Sequence, residues 1–451
     1  MGSCYDVAII GAGASGLAAA RELSRTGLRV AIIEARDRVG GRVYTLHPPE
    51  PIHPIELGAE FIHGMPAHTW ELLEDSGLVA CEVPGNHWIF SPSGRGERRR
   101  MRARRLRGFW KRIDRAFAGI SHSGEDRSFR EFSETSLLLR LSPLDRQLAA
   151  AFVEGFNGAP QESISAQSLV SAGRVGEAMD ITRAFRMVSG YDQLLKFIWD
   201  QTAEPACSVL LNHPVSEIRW KRGAVTLIPA ESEGEVVEAA HVIVTIPAGV
   251  LASGAVRFAP TIPEKSGTLG PDGGIAMGSV AKVILRLNHV LWEELGLSKF
   301  GFIHTTQQES AFPAWWNQAP LQLPVLTGWA GGPAARAISG RSQEEVLELA
   351  LYSLSRLFAI SIATLRQGIE SSYFHDWQTD PYSLGAYSYV TPGGRMAPAF
   401  LARPVEDTLF FAGEATLSSG LGGTVDGAIV SGRRAAREVI RSRRALEFKA
   451  A

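Results

Sequence analysis

The chain has 451 residues, 45% of them hydrophobic, enough to bury at least one large core and, by length alone, to form two or three domains. A formal net charge of −1 sets up no global field for nucleic acid or an anionic membrane. The cysteines, Cys4, Cys81 and Cys207, lie far apart without CxxC spacing, which excludes a disulfide frame or zinc cluster and suits a reducing compartment. No charged, apolar and cleavable leader precedes the first strand, and no window holds the roughly 18 uninterrupted apolar residues of a membrane span, so a soluble cytoplasmic protein is expected.

Residues 5 to 36 read as one βαβ unit: Tyr5 to Ile10 is an apolar strand, Ser15 to Thr26 has helical spacing, and Leu28 to Glu34 alternates into β-branched residues. Residues 97 to 204 hold several helical stretches, such as Pro143 to Phe156 and Tyr191 to Ala203, and read as an inserted helical region. The short runs Ser208 to Leu211, Val215 to Trp220, Ala224 to Pro229 and Val236 to Ile246 follow as an antiparallel meander. Val280 to Leu287, Phe300 to His304 and Leu323 to Trp329 read as further strands, with an amphipathic helix over Ser342 to Phe358. A strand at Asp407 to Phe411, the loop Ala412-Gly413-Glu414 and a helix from about Thr424 to Arg441 mirror the opening unit. Such a start and finish around unlike material predicts one discontinuous nucleotide-binding domain interrupted twice by a substrate domain. Arg95 to Arg112 is dense in arginine but lacks interleaved aromatic residues, so it reads as a solvated helix face or loop; docking to an acidic partner is the sharper alternative.

Gly11-Ala12-Gly13-Ala14-Ser15-Gly16 follows a strand and opens a helix, the context of a dinucleotide fingerprint. Gly11 permits the tight turn, Gly13 lets the backbone approach a pyrophosphate facing the helix N-terminus, and Gly16 allows close helix-to-strand packing. Glu34 ends the second strand, where an acid accepts from ribose hydroxyls and would repel a 2′-phosphate. This much does not separate NAD from FAD. The run Glu34-Ala35-Arg36-Asp37-Arg38-Val39-Gly40-Gly41-Arg42 continues into a second glycine turn with arginines able to meet phosphate. HExxH, paired CxxC, GxSxG and P-loop patterns are missing, so no metal site and no nucleophilic or kinase chemistry is expected.

Together with Glu56-Leu57-Gly58-Ala59-Glu60-Phe61-Ile62-His63-Gly64 and the closing segments Phe410-Phe411-Ala412-Gly413-Glu414-Ala415-Thr416 and Gly427-Ala428-Ile429-Val430-Ser431-Gly432, that run resembles the flavin amine oxidases. This family comprises monoamine oxidases, polyamine oxidases, L-amino acid oxidases and histone lysine demethylases. The resemblance spans nearly the whole chain, and the polyamine oxidase branch looks closest, through the Gly-Ala-x-Phe-Ile-His-Gly pattern and the stretch from Glu154 to Leu169. It implies FAD, held by Gly11, Gly13, Ala14, Ser15, Gly16, Glu34, Ala35, Arg36, Gly40, Gly41, Arg42, Gly58, Ala59, Glu60 and Phe61. It also implies that Gly413 and Glu414 face the ribityl and pyrophosphate, that Thr424 and Val425 reach the isoalloxazine, and that the backbone of Val215 contacts adenine.

Lys282 interrupts the apolar strand Val280-Ala281-Lys282-Val283-Ile284-Leu285; by pattern it is a lysine on the open face of an amphipathic strand. The resemblance makes it the lysine that holds a water at the flavin N5, with a pKa lowered by desolvation. Ala386 stands where monoamine oxidases carry the cysteine that bonds the flavin, so the resemblance implies noncovalent FAD. Tyr387 matches one wall of the family's aromatic cage, and the partner tyrosine of monoamine oxidases falls at Thr424, which leaves the cage half-built. Trp377, in the same run as Tyr387, and His63, where some polyamine oxidases place a histidine or acid near the substrate, complete the implied catalytic set.

The expected fold is therefore α/β. A discontinuous Rossmann-like FAD-binding domain of the glutathione-reductase type takes residues 1–80, 205–285 and 390–451, and an α+β substrate domain with an antiparallel sheet and inserted helices takes 81–204 and 286–389. The implied activity is oxidation of a polyamine or other primary or secondary amine to an imine and aldehyde, with O2 reduced to hydrogen peroxide. An L-amino acid oxidase, which needs an arginine for the substrate carboxylate, and a non-oxidase flavoprotein such as a dehydrogenase or desaturase are the alternatives. A small-molecule amine and O2 are the expected partners, with neither membrane nor nucleic acid, and the oligomeric state stays open.

Overall fold

The computed structural model describes residues 4–450 apart from 50–52, 94–99, 106–107, 118–119, 121–123, 136–138, 181, 203–206, 298–299, 306–309 and 419. The first sheet is built around Cys4–Ile10, which pairs in parallel with Val30–Ile33 on one side and Val237–Val244 on the other. Leu409–Phe411 joins in parallel on the C-terminal half of Val237–Val244, whose N-terminal half continues antiparallel into Ala224–Pro229 and Val215–Lys221. Cys207–Leu210 does not belong to that meander: it lies parallel to Val30–Ile33 at the sheet's other edge. Its alternation marks a half-buried strand but carries no information about the partner.

Parallel strands need cover on both faces. Val7 and Ile9 pack beneath the helices Ala14–Ser24 and Val425–Ala450, while Ala8 and Ile10 point to the opposite core with Val242, Val244 and Phe411. The two helices are joined by Ser15 and Ser431, whose hydroxyls lie 3.1 Å apart across 416 residues of chain. Any Cβ at Gly432 would stand 2.0 Å from the carbonyl oxygen of Ser15, so only glycine lets the helices approach this closely. The discontinuous unit is thus closed by contacts between the first and last helices.

The second sheet runs in the order Ile369–Phe374, Val280–Leu287, Val325–Gly331, Ala314–Asn317, Phe302–Thr305, His87–Ser93, Arg100–Arg105. Its alternating residues separate two faces. Ala281, Val283, Leu285 and Leu287 pack with Val346, Ala350, Leu351 and Leu354 of the helix Gln343–Phe358, which Ser342 and Glu345 start with a reciprocal capping box. The opposite face carries Lys282 and turns toward the first sheet. Sheet membership departs from the expected division at 285, because all of Val280–Leu287 finds its partners in the second sheet. It departs again within 81–204, where Leu194, Leu195 and Ile198 of the helix Asp192–Asp200 share a core with Leu17 and Leu23. A small sheet of Phe61–His63, Ala184–Met187 and Ala80–Glu82 ties this segment to the first domain.

Within the arginine-rich stretch, Arg100–Arg105 is an edge strand, paired antiparallel with His87–Ser93, rather than a helix face or loop. Residues 95–99 and 106–107 lie outside the described residues, and Arg112 forms an ion pair with Asp145. Among the described residues no single helix is long and apolar enough to cross a membrane.

Candidate active site

A cavity of about 870 Å³ extends from the carboxyl ends of the parallel strands, at Ile10, Ile33, Thr245 and Gly413, to Lys282 and a wall of aromatic side chains on the second sheet. Every site residue named from the sequence lines it except Gly16. Gly16 sits behind the surface, where a Cβ would lie 1.9 Å from the carbonyl oxygen of Gly11. The helix Ala14–Ser24 begins at Gly13 without a side-chain cap, so its first amides retain their attraction for an anion.

Glu34 is 6% exposed and accepts from the amides of Ala12 at 2.7 Å and Arg36 at 2.9 Å, while the Gly40 amide donates to the Ala12 carbonyl at 2.9 Å and joins the two glycine turns. A carboxylate has about four acceptor sites, so capacity remains for ribose hydroxyls. The arginines behave differently from expectation, since each is engaged by protein rather than held open for phosphate. Arg36 forms a fork with Asp380 at 2.9 and 2.7 Å and also donates to Ser383. Arg38 donates to the carbonyls of Val39, Gly41 and Val43 and lies 3.9 Å over the Tyr44 ring. Arg42 binds Glu414 at 2.8 Å and the Ala386 carbonyl at 2.9 Å. Planar guanidinium groups prefer bidentate carboxylates, and the fold supplies them from more than 340 residues away. Glu414 also accepts from the Ser388 hydroxyl at 2.6 Å and the Gly423 amide at 2.9 Å, so with Arg42 it ties its own loop to three other segments around the cavity.

Lys282 is 4% exposed and donates to the Gly58 carbonyl at 2.7 Å and to Glu60 at 3.3 Å. Glu60 in turn accepts from Arg186 at 2.8 Å and the Trp316 indole at 3.0 Å. Burial lowers the Lys282 pKa, an effect that the Glu60 and Glu56 charges only partly oppose. Burial alone would raise Glu60, but the Lys282 and Arg186 charges outweigh it and hold the carboxyl below its usual range. Glu56, bonded to the Thr45 hydroxyl and the Tyr191 amide, is pushed by burial to about 7. Pattern alone had placed Lys282 on an open strand face; both faces of this strand are covered instead.

Tyr387 donates to the Phe156 carbonyl at 2.7 Å, which binds the ring to the helix Pro143–Asn157. Thr424 donates to the Leu421 carbonyl and accepts from the Gly427 amide, so its side chain caps the start of the last helix rather than contributing to a cage. Trp377 donates to the Leu57 carbonyl at 3.1 Å and is 4% exposed, so it acts as a wall and not as an acid or base. His63 lies edge-on to Phe156 at 5.2 Å, and burial lowers its pKa to about 4. Arg186, Trp316, Asp380 and Ser388 escaped sequence reasoning. None lies in a glycine motif, and Arg186 meets Glu60 across 126 residues.

A family model described as flavin containing amine oxidoreductase matches residues 14–440. The chain belongs to this family. It is similar to polyamine oxidase 2 of Arabidopsis thaliana, at 26% identity over 456 residues, covering 96% of this chain and 87% of that protein. It is also similar, at 28% identity over 453 residues, to lysine-specific histone demethylase 1 homolog 2 of Oryza sativa subsp. japonica, covering 96% of this chain. The similarity is 27% over 492 residues to lysine-specific histone demethylase 1 homolog 3 of Arabidopsis thaliana, again covering 96% of this chain. The chain spans only 57% and 30% of the length of these two demethylase relatives. Among solved structures, a double mutant of putrescine oxidase matches with a TM-score of 0.77 at 25% identity, covering 97% of this chain and 99% of that one. Cyclohexylamine oxidase from Brevibacterium oxydans shares the fold, with a TM-score of 0.77 at 23% identity, covering 96% and 98%.

As a member of the flavin containing amine oxidoreductases, the chain is a flavin oxidoreductase acting on amines, and its cofactor is FAD, held noncovalently. The site fits that group: an uncapped helix N-terminus for the pyrophosphate, Glu34 for the ribose, and Ala386, with no nucleophile, lining the cavity. When bound, the flavin supplies the two-electron redox chemistry. The chain's own residues present buried Trp377 and Trp316 at the cavity wall and hold the Lys282 ammonium on the Gly58 carbonyl.

Proposed function

We propose that this protein oxidises a primary or secondary amine to an imine, which hydrolyses to the aldehyde, and passes the electrons to O2 to form hydrogen peroxide. The observation that carries the reading is the division of the cavity. Its nucleotide end holds the charged anchors, and its far wall presents Phe61, Phe156, Trp316, Trp329 and Tyr387 with neutral His63. The carboxylate on that wall, Glu60, is bound to Lys282 and Arg186, which leaves it little attraction for further cations. Such a wall suits an amine that arrives neutral and carries one basic nitrogen, more than a polycation.

An amino acid substrate is disfavoured by the arginines. Among the described residues, those lining the cavity are Arg36 and Arg42, at the nucleotide end, and both are ion-paired. The direct test is a peroxide assay with tyramine, spermine, N-acetylspermine and leucine. Peroxide from an amine but not from leucine supports the reading. Anaerobic bleaching of the flavin by an amine, with no peroxide on admitting air, would make the protein a dehydrogenase instead.

A further inference from the structure

Beyond Lys282 the cavity continues as an arm across the face of the second sheet. Lys282, Trp329, Ala314, His304 and Ile89 are directly paired from strand to strand, and all five line the cavity. They sit on five adjacent strands, so the row is roughly 19 Å long. Phe302 and His87 stand in the neighbouring row on the same face, and Leu148 and Phe152 of the helix Pro143–Asn157 pack with Ile89. The polar side chains along the arm are His87, His304, Gln147 and Thr305, and each is engaged by the protein; His87 Nδ1, for one, lies 2.9 Å from His304 Nε2. Burial holds His304 at about 4 and His87 well below its ordinary value, so neither adds charge near pH 7. Among the described residues, the charged ones lining the cavity sit at the nucleotide end or in the Lys282–Glu60 pair, apart from Asp426, which accepts from the Thr69 amide and hydroxyl.

We propose that this arm holds the substrate's tail and that the tail is a long unbranched alkyl chain, which makes the substrate an aliphatic monoamine with a chain on the order of ten carbons. The inference rests on the amine-oxidising reading of the same cavity. A polar tail end entering the arm would exchange water for a surface whose polar groups are already engaged, and each unmatched hydrogen-bonding group costs free energy. A second ammonium is the worst case, because no carboxylate lines the arm among the described residues. An alkyl tail loses nothing there and gains from every methylene taken out of water. The row also leaves room for a chain at its midpoint, where Ala314 stands between the larger Trp329 and His304. An extended chain advances roughly 1.3 Å per bond. Counted from Lys282, butylamine therefore ends beside Trp329, about seven bonds reach Ala314, and a ten-carbon chain ends near His304.

The test uses the FAD-loaded enzyme with butylamine, hexylamine, octylamine, decylamine and 1,10-diaminodecane. Full burial of a methylene corresponds to about fourfold in affinity, and an arm whose floor at Ala314 is half-buried should realise roughly twofold. Across six methylenes kcat/KM should then rise about sixtyfold from butylamine to decylamine, through KM rather than kcat. The diamine should fall roughly tenfold or more below decylamine. Ala314→Phe fills the middle of the arm and should level the series beyond hexylamine. Ala314→Asp places a carboxylate there and should reverse the preference between decylamine and the diamine. A flat wild-type series overturns the arm, as does a wild-type preference for the diamine, and these two readings decide even where a variant fails to fold. A series left unchanged by both folded, flavin-loaded variants overturns it as well. Butylamine that still reduces the flavin in those cases leaves the amine-oxidising reading standing. If no amine reduces the flavin, both fall.

Discussion

The ammonium of Lys282 stands 3.3 Å from a carboxylate oxygen of Glu60, and the two side chains are 3% and 5% exposed. Their pairing is held by partners on both sides, because Glu60 keeps Arg186 and the Trp316 indole, and Lys282 keeps the Gly58 carbonyl. Lys282→Met should therefore fold and retain FAD. The expected effect is a roughly tenfold or greater slowing of flavin reduction by amine or of reoxidation by O2. Stopped-flow traces indistinguishable from wild type would remove Lys282 from the chemistry.

Glu60→Gln should behave otherwise. It leaves Arg186 and Lys282 as neighbouring cations without a countercharge, in a region where Arg186 is 1% exposed. Breaking a buried pair in this way costs on the order of 3 to 5 kcal/mol. Denaturant melts of the two variants should rank Glu60→Gln as much the less stable, and equal midpoints would contradict the arrangement.

Glu56 gives a pH signature. Its folded-state pKa, about 7, lies above the ordinary 4.5, so the folded protein binds this proton more tightly than the unfolded chain does. The sign follows: its favourable contribution is complete below pH 4.5 and is lost as pH rises toward 7. A shift of that size corresponds to about 3 kcal/mol. Glu56→Gln should abolish this part of the decline, so the variant should gain on wild type between melts at pH about 5 and about 8. A constant difference across that range would refute the assignment.

Gly16→Ala tests the nucleotide end. The added methyl would meet the Gly11 carbonyl at 1.9 Å, which forces the helix away from the turn that must receive the pyrophosphate. The variant should be purified pale, with flavin absorbance per protein reduced by roughly tenfold or more, the mark of an overpacked rigid contact. A full yellow complement would show that the helix can slide without losing the site.

The glycine fingerprint and Glu34 are legible from their place after a strand and at the end of the next one, whereas Lys282 and Glu414 enter the site only through the family resemblance, since pattern alone puts Lys282 on an open strand face. The destinations of the arginines were not legible. Arg36 and Arg42 have the chemistry to meet phosphate, yet in the fold Asp380 and Glu414 reach them first, 344 and 372 residues away. The strand Val280–Leu287 was visible as a strand, but its sheet was not, since alternation specifies which side chains share a face and not which strand lies beside them. The His87 and His304 pair is hidden for a similar reason, because it depends on parallel pairing between His87–Ser93 and Phe302–Thr305.

The 3.1 Å contact between Ser15 and Ser431 also sets an order of events during synthesis. The glycine turn is made 416 residues before the helix segment that closes over it. Until then the turn's helix lacks its packing partner, and the Gly413 amide lacks the Ser431 hydroxyl to which it donates at 2.9 Å. Contacts this far apart in sequence form late and slowly. Flavin loading should therefore follow completion of the last helix, and a nascent chain stalled before residue 425 should carry no flavin however long it waits; flavin bound to such a stalled chain would refute this order.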